Sequence, residues 1–270
     1  MPEIRVGMAQ MLVEPGNPAS NLARAAAMVG EAADAGCDVV VLPECLDLGW
    51  THESARTLAT TIPGPTTAAL ARAAAEHRIT VVAGLVERDG DRLYNAAVLI
   101  GPSGAILLRH RKVNELQFAL ALYSVGSALG VVSTPFGIVG LSICADNAPR
   151  AISLGRTLGH MGAQLLLSPS AWAVPPDHDE AAEPYGAMWV ESYASLATEF
   201  RMPVVGVSNV GPVVGGEWDG WRCVGRSLAV GADGQVLARG PYEQEALIIV
   251  DVPIRADDDV PEPVRAARSS

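Results

Sequence analysis

Short, continuously apolar runs that alternate with helix patterns constrain the fold of this chain more than any other feature. The runs "IRVGMAQ" (4–10), "CDVVVLPE" (37–44) and "ITVVAG" (79–84) are typical of buried strands. Between them, residues 17–36 and 65–78 have the periodicity of alanine-rich amphipathic helices. A strand that is apolar on both faces must be covered on both faces. The pattern therefore predicts an α/β fold in which the sheets are buried between other layers.

The same pattern continues through the rest of the chain. Strands over 93–100 and 105–109, joined by the turn "GPSG", predict a hairpin. The elements predicted next are strand 138–143, helix 148–160, strand 164–168, helix 184–200 and strand 203–208. A last hairpin is predicted around "GADGQ", between strands near 226–231 and 246–252. No repeat of solenoid type is visible in this order.

The composition fits one large domain. Of the 270 residues, 49% are apolar and 18% are charged, which allows a sizeable core and is ordinary for a globular protein. No interior stretch is rich enough in proline, serine or charge to indicate a linker. We expect a single domain over residues 1–254, followed by an acidic and polar tail over residues 255–270.

The charge pattern argues against nucleic acid as a partner. The net charge is −11, and no cluster of lysine and arginine is present that would neutralise several phosphates. No apolar run reaches the roughly 18 residues that a membrane span needs. The start of the chain, "MPEIRVGMAQ", lacks the basic, apolar and small-residue regions of a signal peptide. We therefore expect a cytoplasmic protein without a membrane partner.

The four cysteines are Cys37, Cys45, Cys144 and Cys223. They form no CxxC motif, and no histidine lies at ligand spacing from any of them. The sequence therefore predicts neither a disulfide framework nor a metal site. In a reducing compartment each cysteine is either a small buried hydrophobe or a reactive thiol.

Three polar residues follow predicted strands at the points where the strands end. Glu44 ends "VVVLPE", Lys112 follows "AILLRH" in "RHRKVN", and Cys144 ends "VGLSIC". Catalytic groups of open α/β sheets lie just past the carboxyl ends of strands, where side chains face a crevice. Each residue alone also has a simpler interpretation: a solvated carboxylate, a basic surface turn and a packing cysteine.

Together, the three residues meet a chemical need. A thiol that attacks an amide or nitrile carbon requires a base for its proton, an acid for the departing nitrogen and a positive charge near the oxyanion. Glutamate, lysine and cysteine supply these functions without a histidine, and none of the five histidines lies in a strand-end motif. A Cys–His pair stays open as the alternative, because such partners need only be close in space.

The segments "VVLPE", "YNAAVLIGPSGAILLRHRKVN" and "GIVGLSICAD", in that order, resemble the nitrilase, or carbon–nitrogen hydrolase, superfamily. The resemblance extends over residues 4–252 and implies a four-layer α-β-β-α sandwich, no cofactor, and a homodimer or higher homo-oligomer. It also implies that Cys144 is the nucleophile, that Glu44 is the general base and then the acid, and that Lys112 stabilises the tetrahedral intermediate. The turn after the cysteine adds the backbone N–H of Ala145 as a second oxyanion donor.

The activity implied by the resemblance is hydrolysis of a non-peptide C–N bond through a thioester acyl-enzyme, with release of ammonia or an amine. The expected substrate is a small amide, a carbamoyl compound or, less often, a nitrile. Two alternatives stay open. An acyl transferase or amide synthase would pass the same thioester to another acceptor, and a catalytically inactive nitrilase-like binding protein would keep only the fold. The intact set of glutamate, lysine and cysteine argues against an inactive protein.

The sequence departs from the family pattern at two places. Many members carry a second glutamate shortly before a glycine that lies between the lysine and the cysteine, whereas residues 119–122 before Gly126 are Ala, Leu, Ala and Leu. Glu115 is the candidate replacement, with a solvated residue in a first helical turn as the alternative. Ala145 stands where an aromatic residue is common, which predicts extra room beside the cysteine.

Aromatic residues are the candidates for substrate contact, although aromatic side chains serve cores at least as readily. Tyr123 and Trp172 are the two predicted substrate-binding residues. Further candidates are Trp50, Trp189, Trp218 and Trp221. The acidic pair Glu217 and Asp219 would suit an amine-bearing substrate if its loop faced the pocket.

Overall fold

The computed structural model describes residues 3–255. Its strands, in chain order, are β1 (Glu3–Gln10), β2 (Val39–Val41), β3 (Thr80–Asp89), β4 (Arg92–Ile100), β5 (Ile106–Arg111), β6 (Val131–Thr134), β7 (Gly137–Leu141), β8 (Leu165–Ser170), β9 (Ala173–Val174), β10 (Val204–Ser208), β11 (Val210–Pro212), β12 (Arg222–Val224), β13 (Leu228–Val230), β14 (Val236–Arg239) and β15 (Ala246–Pro253). The α-helices are α1 (Pro18–Asp34), α2 (Ala55–Leu58), α3 (Pro65–His77), α4 (Ile152–His160) and α5 (Ala187–Phe200).

Two six-stranded sheets form the centre of the described chain. Sheet one has the order β15-β1-β2-β3-β4-β5, and sheet two has the order β14-β13-β10-β8-β7-β6. The inner strands β1, β2 and β3 run parallel, as do β7, β8 and β10. A small third sheet joins β11, β12 and β9. The carboxyl ends of parallel neighbours therefore meet at one edge of each large sheet, which is where side chains can converge.

Alternating burial along β2 shows how the layers pack. Val39 and Val41 lie in the core between the two sheets, together with Leu141 of sheet two. Val40, which points to the opposite face, packs in a second core that includes Val29 of α1. Helices α1 and α3 thus cover sheet one, while α4 and α5 cover sheet two. This is the predicted four-layer α-β-β-α sandwich, and the prediction of the fold is confirmed.

Local sequence signals place the helices of the first layer. Asn17 caps α1 by accepting a hydrogen bond from the backbone N–H of Ser20 at 3.4 Å, and Pro18 occupies the first turn, where its missing N–H costs nothing. The helix gives way to Gly36, whose φ of +75° favours glycine. The predicted helix over 17–36 is therefore confirmed with slightly shorter ends.

The predicted hairpin between 226–231 and 246–252 is wrong. The turn "GADGQ" is tight, with Gly234 at a φ of +81°, so the returning strand is β14 at 236–239 rather than the later segment. The later segment is β15, which pairs antiparallel with β1 and buries Val250 and Val252 between the sheets. An apolar strand pairs where its side chains find a core, and here that core lies against the first strand of the chain.

The predicted helix over 148–160 also begins later than expected. Two short 3₁₀ turns, Cys144–Asn147 and Pro149–Ala151, precede α4. Pro149 fixes the backbone of the second turn and disfavours helix at the residue before it, so the cysteine lies in a tight turn between strand and helix.

No helix between residues 3 and 255 is both long and apolar enough to cross a membrane. The division into a domain over 1–254 and a tail over 255–270 stays a prediction, because residues 256–270 lie outside the described part of the chain.

Candidate active site

The structure brings together the three residues that follow strand ends. Glu44 lies just beyond β2, Lys112 follows β5 and Cys144 follows β7. All three are buried, and all three line one cavity with a volume of about 400 Å³. The Nζ atom of Lys112 lies 2.6 Å from Oε1 of Glu44, so the two side chains form a charge-assisted hydrogen bond at the base of the cavity.

The backbone of Glu44 is held close to its neighbouring strand. Its N–H donates to the carbonyl oxygen of Ser170 at 3.1 Å, which ties sheet one to sheet two. Gly84 of β3 lies so near that a Cβ atom at this position would come within 2.5 Å of the Glu44 Cα atom. The absence of a side chain at Gly84 therefore allows the backbone of Glu44 to lie this close to β3.

The two carboxylate oxygens of Glu44 differ in their surroundings. Oε1 accepts hydrogen bonds from Lys112 and from the Nδ2 atom of Asn95, both at 2.6 Å. Oε2 is buried and has no hydrogen-bond partner within residues 3–255. One oxygen is thus fixed by two donors, while the other remains available as an acceptor.

Lys112 is fixed through its backbone as well as its ammonium group. Its N–H donates to the carbonyl oxygen of Asn95 at 2.8 Å, and its own carbonyl accepts from the N–H of Gly126 at 2.7 Å. Its Nζ atom also lies 5.8 Å from the centre of the Trp50 ring. Burial acts to lower the pKa of Lys112, but the carboxylates of Glu115 and Glu44 outweigh burial and hold this pKa well above its ordinary value. The side chain is therefore cationic at neutral pH.

Cys144 occupies an unusual backbone conformation at the start of its turn. Its φ is +43°, which non-glycine residues seldom adopt, and its N–H donates to Oγ of Ser168 at 3.2 Å. Burial raises the pKa of its thiol, and the charge of Glu44 raises it further, while Lys112 lowers it. The thiol is therefore protonated at neutral pH, and a base must take its proton when it reacts.

Glu115 lies inside the site. Its side chain is buried, and Oε2 lies 3.7 Å from Nζ of Lys112. Neither of its oxygens has a hydrogen-bond partner in the described chain. Burial raises its pKa to about 7, since this outweighs the lowering by Lys112, and Glu44 raises it as well. The structure therefore contradicts the alternative that Glu115 is a solvated residue of a helical turn.

Asp146 is a buried residue that sequence reasoning missed. Its carboxylate accepts hydrogen bonds from the backbone N–H groups of Val113 (3.1 Å), Asn114 (2.8 Å) and Ile143 (3.0 Å), and it lies 2.8 Å from Nε2 of His110. Burial acts to raise the pKa of Asp146, but the hydrogen bonds from His110 and from the backbone hold it below its ordinary value. The ionised carboxylate thereby joins the chain after Lys112 to the turn that carries the cysteine.

Of the remaining predicted site residues, two line the cavity and one does not. Ala145 and Trp172 line the cavity with the three strand-end residues. Tyr123 does not lie among the residues that line it; its hydroxyl accepts from the N–H of Thr51 at 3.1 Å and lies 3.9 Å from Sγ of Cys45. The structure thus places Tyr123 in a neighbouring core.

The acidic pair on the "GGEWDGWR" loop is likewise outside the cavity lining among the described residues, although Trp218 of that loop belongs to it. Asp219 accepts a hydrogen bond from the N–H of Gly215 at 2.8 Å, and Glu217 is exposed. Within residues 3–255, no group of three or more histidine, cysteine or acidic side chains is arranged to hold a metal ion.

A sandwich of two sheets between helix layers, with a cavity that meets a buried glutamate, lysine and cysteine, defines a cysteine-dependent hydrolase of carbon–nitrogen bonds. The sequence matches the model of one family, described as carbon–nitrogen hydrolase, over residues 5–257. The chain therefore belongs to the carbon–nitrogen hydrolase family, and the resemblance to it is confirmed.

Known relatives and structures agree with this family. The chain is 28% identical to omega-amidase NIT2-B of Xenopus laevis, over 99% of this chain and 96% of that protein. It is 32% identical to omega-amidase NIT2 of Mus musculus, over 67% of this chain and 69% of that protein. An amidase of Nesterenkonia sp. AN1, solved with acrylamide added at its active-site cysteine, has the same fold, with a TM-score of 0.79, 22% identity and 93% coverage of both chains.

Proposed function

We propose that this protein hydrolyses a small amide, with Cys144 as nucleophile, Glu44 as general base and acid, and Lys112 as the cation at the oxyanion. The observation that carries the proposal is the 2.6 Å contact between Glu44 and Lys112, buried at the base of a cavity that Cys144 also lines. The relatives named as omega-amidases and the structures named as amidases support an amide over a nitrile.

In the first half-reaction, Glu44 takes the proton of the Cys144 thiol as the sulfur attacks the amide carbon. The carbonyl oxygen becomes an oxyanion beside the ammonium of Lys112 and the backbone N–H of Ala145. Glu44 then gives its proton to the amide nitrogen, the C–N bond breaks, and ammonia leaves a thioester on Cys144. The unpartnered Oε2 of Glu44 is suited to both proton transfers.

In the second half-reaction, Glu44 takes a proton from water as the water oxygen attacks the thioester carbon. The second tetrahedral intermediate uses the same cation and backbone donor. The C–S bond then breaks, the carboxylic acid leaves, and the sulfur regains a proton. Because Lys112 stays cationic throughout, it stabilises the negative charge in both steps without moving a proton.

Glu115 is proposed as the replacement for the missing second glutamate. Its carboxylate lies near the same ammonium group that Glu44 binds, so it helps to hold the charge and position of Lys112. This function requires the ionised form, which is lost as the pH falls below about 7. Its effect on catalysis is therefore one of positioning rather than direct contact with the substrate.

The test is to incubate the protein and its Cys144→Ala variant with butyramide, the compound seen in complex with a cysteine-to-alanine mutant of the amidase from Nesterenkonia sp. AN1. Hydrolysis predicts ammonia, butyric acid and a butyryl adduct of the native chain in the intact mass, all absent from the variant. An adduct that accumulates and is released only by an added amine would indicate acyl transfer instead. Full activity of the Cys144→Ala variant would overturn the proposed mechanism.

We also propose that the protein acts in the cytoplasm as a homodimer or larger homo-oligomer. Support comes from the family resemblance and from four cysteines that are all free and buried, as expected in a reducing compartment. Light scattering behind size-exclusion chromatography measures the assembly, and a single species of about 28 kDa would contradict it. Cell fractionation tests the location.

A further inference from the structure

The walls of the cavity are aromatic. Beyond its polar base, the lining includes Trp50, Trp172, Tyr185, Trp189 and Trp218. They come from the segment after β2, the segment after β8, the approach to α5, α5 itself and the segment after β11. Because several separate parts of the chain each deliver a ring to one space of about 400 Å³, the aromatic character belongs to the cavity rather than to a single helix face.

The indole nitrogens of Trp50, Trp172 and Trp189 are buried or bonded to a neighbouring side chain. The indole nitrogens of Trp50 and Trp172 are buried, so these rings meet the cavity through carbon atoms. The indole N–H of Trp189 donates to the hydroxyl of Tyr185 at 3.0 Å, which occupies the one donor of that indole and leaves the Tyr185 O–H as a donor at the wall. Trp172 and Trp189 are stacked, with ring centres 5.2 Å apart and planes 17° from parallel. The stacked rings therefore offer flat apolar surface, with the Tyr185 hydroxyl as the polar group beside them.

Few charges are available to a substrate beyond the base. Among the described residues that line the cavity, the charged ones are Glu44, Lys112 and Arg150. The first two bind each other, and Arg150 is exposed at the rim. A carboxylate buried against the aromatic wall would lack a cationic partner there, and burial of an unpaired charge is strongly unfavourable. A carboxylate that reached Arg150 would gain little, because an ion pair exposed to solvent contributes little to binding.

We propose that the substrate of this site is the primary amide of an arylalkanoic acid, whose ring packs against Trp172, Trp189 and Trp218. The inference rests on the proposed amidase function and adds the class of the acyl group. An aromatic acyl group is favoured over an aliphatic one of equal size because ring pairs attract each other beyond the area that they bury. Ala145 and Ala148, which also line the cavity, leave room for such a group beside the thiol.

The experiment compares kcat/KM for four primary amides on the native protein. 3-Phenylpropionamide is the expected substrate, and 3-cyclohexylpropionamide replaces its aromatic ring with an aliphatic ring. Propionamide lacks a ring, and succinamic acid carries a carboxylate in place of the ring. We expect 3-phenylpropionamide to exceed propionamide and succinamic acid by at least about tenfold, which corresponds to about 1.4 kcal/mol. Its advantage over the cyclohexyl compound should be about threefold or more.

Two variants test whether the tryptophans of the wall cause the preference for the aryl amide. Trp189→Leu and Trp218→Leu should each lower kcat/KM for 3-phenylpropionamide about tenfold, a loss at least three times larger than the loss for propionamide. Trp218 is only partly buried, so its variant keeps the test valid if Trp189→Leu does not fold, which thermal unfolding will report. Tyr242→Leu removes an aromatic ring that does not line this cavity and is the matched control.

The outcomes separate the two proposals. Cys144-dependent hydrolysis of propionamide or succinamic acid with kcat/KM equal to or above that of 3-phenylpropionamide would overturn the aryl inference and leave the amidase function intact. Absence of turnover and of any acyl adduct with all four amides would overturn the amidase function, and the inference with it. Equal loss on 3-phenylpropionamide and propionamide in both tryptophan variants would also contradict the aryl inference.

Discussion

The base and the walls of the cavity are built in different ways. At the base, side chains at strand ends are fixed by hydrogen bonds and charge: Glu44 binds Lys112 and Asn95, and Asp146 binds three backbone N–H groups. The walls consist of rings from loops and α5, held mainly by ring contacts such as that between Trp172 and Trp189. In the proposed function, the base carries out the chemistry and the walls select the substrate, and mutation can distinguish the two sets of residues.

The largest effect is expected from Glu44→Gln. The variant keeps the shape of the side chain and removes its ability to take a proton, so kcat should fall about 10³-fold, as expected for loss of a general base. Steady-state kinetics with an arylalkanoic amide measures this. A change in KM with unchanged kcat would show that Glu44 contributes to substrate binding, as the walls do. It would contradict the role of Glu44 in proton transfer.

Asp146→Asn should have the next largest effect. An amide replaces one acceptor oxygen with a donor, so at least one backbone N–H loses its partner and the link between the Lys112 loop and the cysteine turn weakens. Hydrogen bonds to a charged acceptor are worth about 1.5–3 kcal/mol, which predicts a loss of kcat of about 10- to 100-fold and a lower unfolding temperature.

Asp233→Asn is the matched control for this change, because Asp233 is exposed and accepts one backbone hydrogen bond, from Gln235. Its kcat and unfolding temperature should stay close to those of the native protein. A loss of stability in Asp146→Asn without any loss of kcat would limit Asp146 to a structural function.

Glu115→Gln tests the polar base of the cavity through the pH dependence of activity. In the native protein the pKa of Glu115 is raised to about 7, so activity should increase as the pH rises through 7 and the carboxylate ionises. The variant cannot ionise there, and we expect its activity at pH 8 to be about tenfold lower, with this limb of the pH profile absent. The exposed Glu76→Gln variant is the control and should keep the native profile.

The ionisation of Glu115 should affect the stability of the fold in the opposite direction to activity: as the pH rises, activity increases and stability decreases. A carboxyl group whose folded pKa lies above its ordinary value of 4.5 destabilises the fold when it ionises, so its cost develops as the pH rises from about 4.5 to 7. Glu115→Gln should therefore unfold at a higher temperature than the native chain at pH 8 and show no such advantage at pH 4. Equal differences at both pH values would contradict a buried, titrating Glu115.

Trp221→Leu should have the smallest effect. Trp221 stacks on Trp218, with ring centres 4.2 Å apart and planes 6° from parallel, but does not itself line the described cavity. Loss of this support should raise KM about threefold and leave kcat unchanged, since ring pairs are worth about 0.5–1.5 kcal/mol. A fall in kcat larger than the rise in KM would show that the walls also affect the chemical step at the base of the cavity.

The fold and the positions of the three strand-end residues were predictable from sequence because both depend on local pattern. Continuously apolar strands indicate covered sheets, and the carboxyl ends of parallel strands converge wherever such sheets form. Glu44, Lys112 and Cys144 therefore lie together, as expected. The pairing of 246–253 with β1 was not predictable, because the choice between two partners depends on which core is available.

The supporting residues were harder to predict because their partners are distant in sequence. Asn95 lies inside the apolar strand "YNAAVLIG". A polar side chain in such a strand needs a hydrogen-bond partner, and this was the available signal for its function. Asp146 stands in "CAD", and three of its contacts lie 32–36 residues earlier in the chain. The burial of Glu115 depends on the irregular path after β5, and no periodic pattern describes such a path.

The antiparallel pairing of β15 with β1 has a consequence for how the chain folds. The proposed base, cation and nucleophile all lie within the first 144 positions, yet the edge of sheet one remains open until the ribosome has made residues 246–253. Until then, β1 presents unpaired backbone groups to other chains, which favours aggregation. A nascent chain that stalls before position 246 therefore carries Glu44, Lys112 and Cys144 on a sheet whose β1 edge is still unpaired.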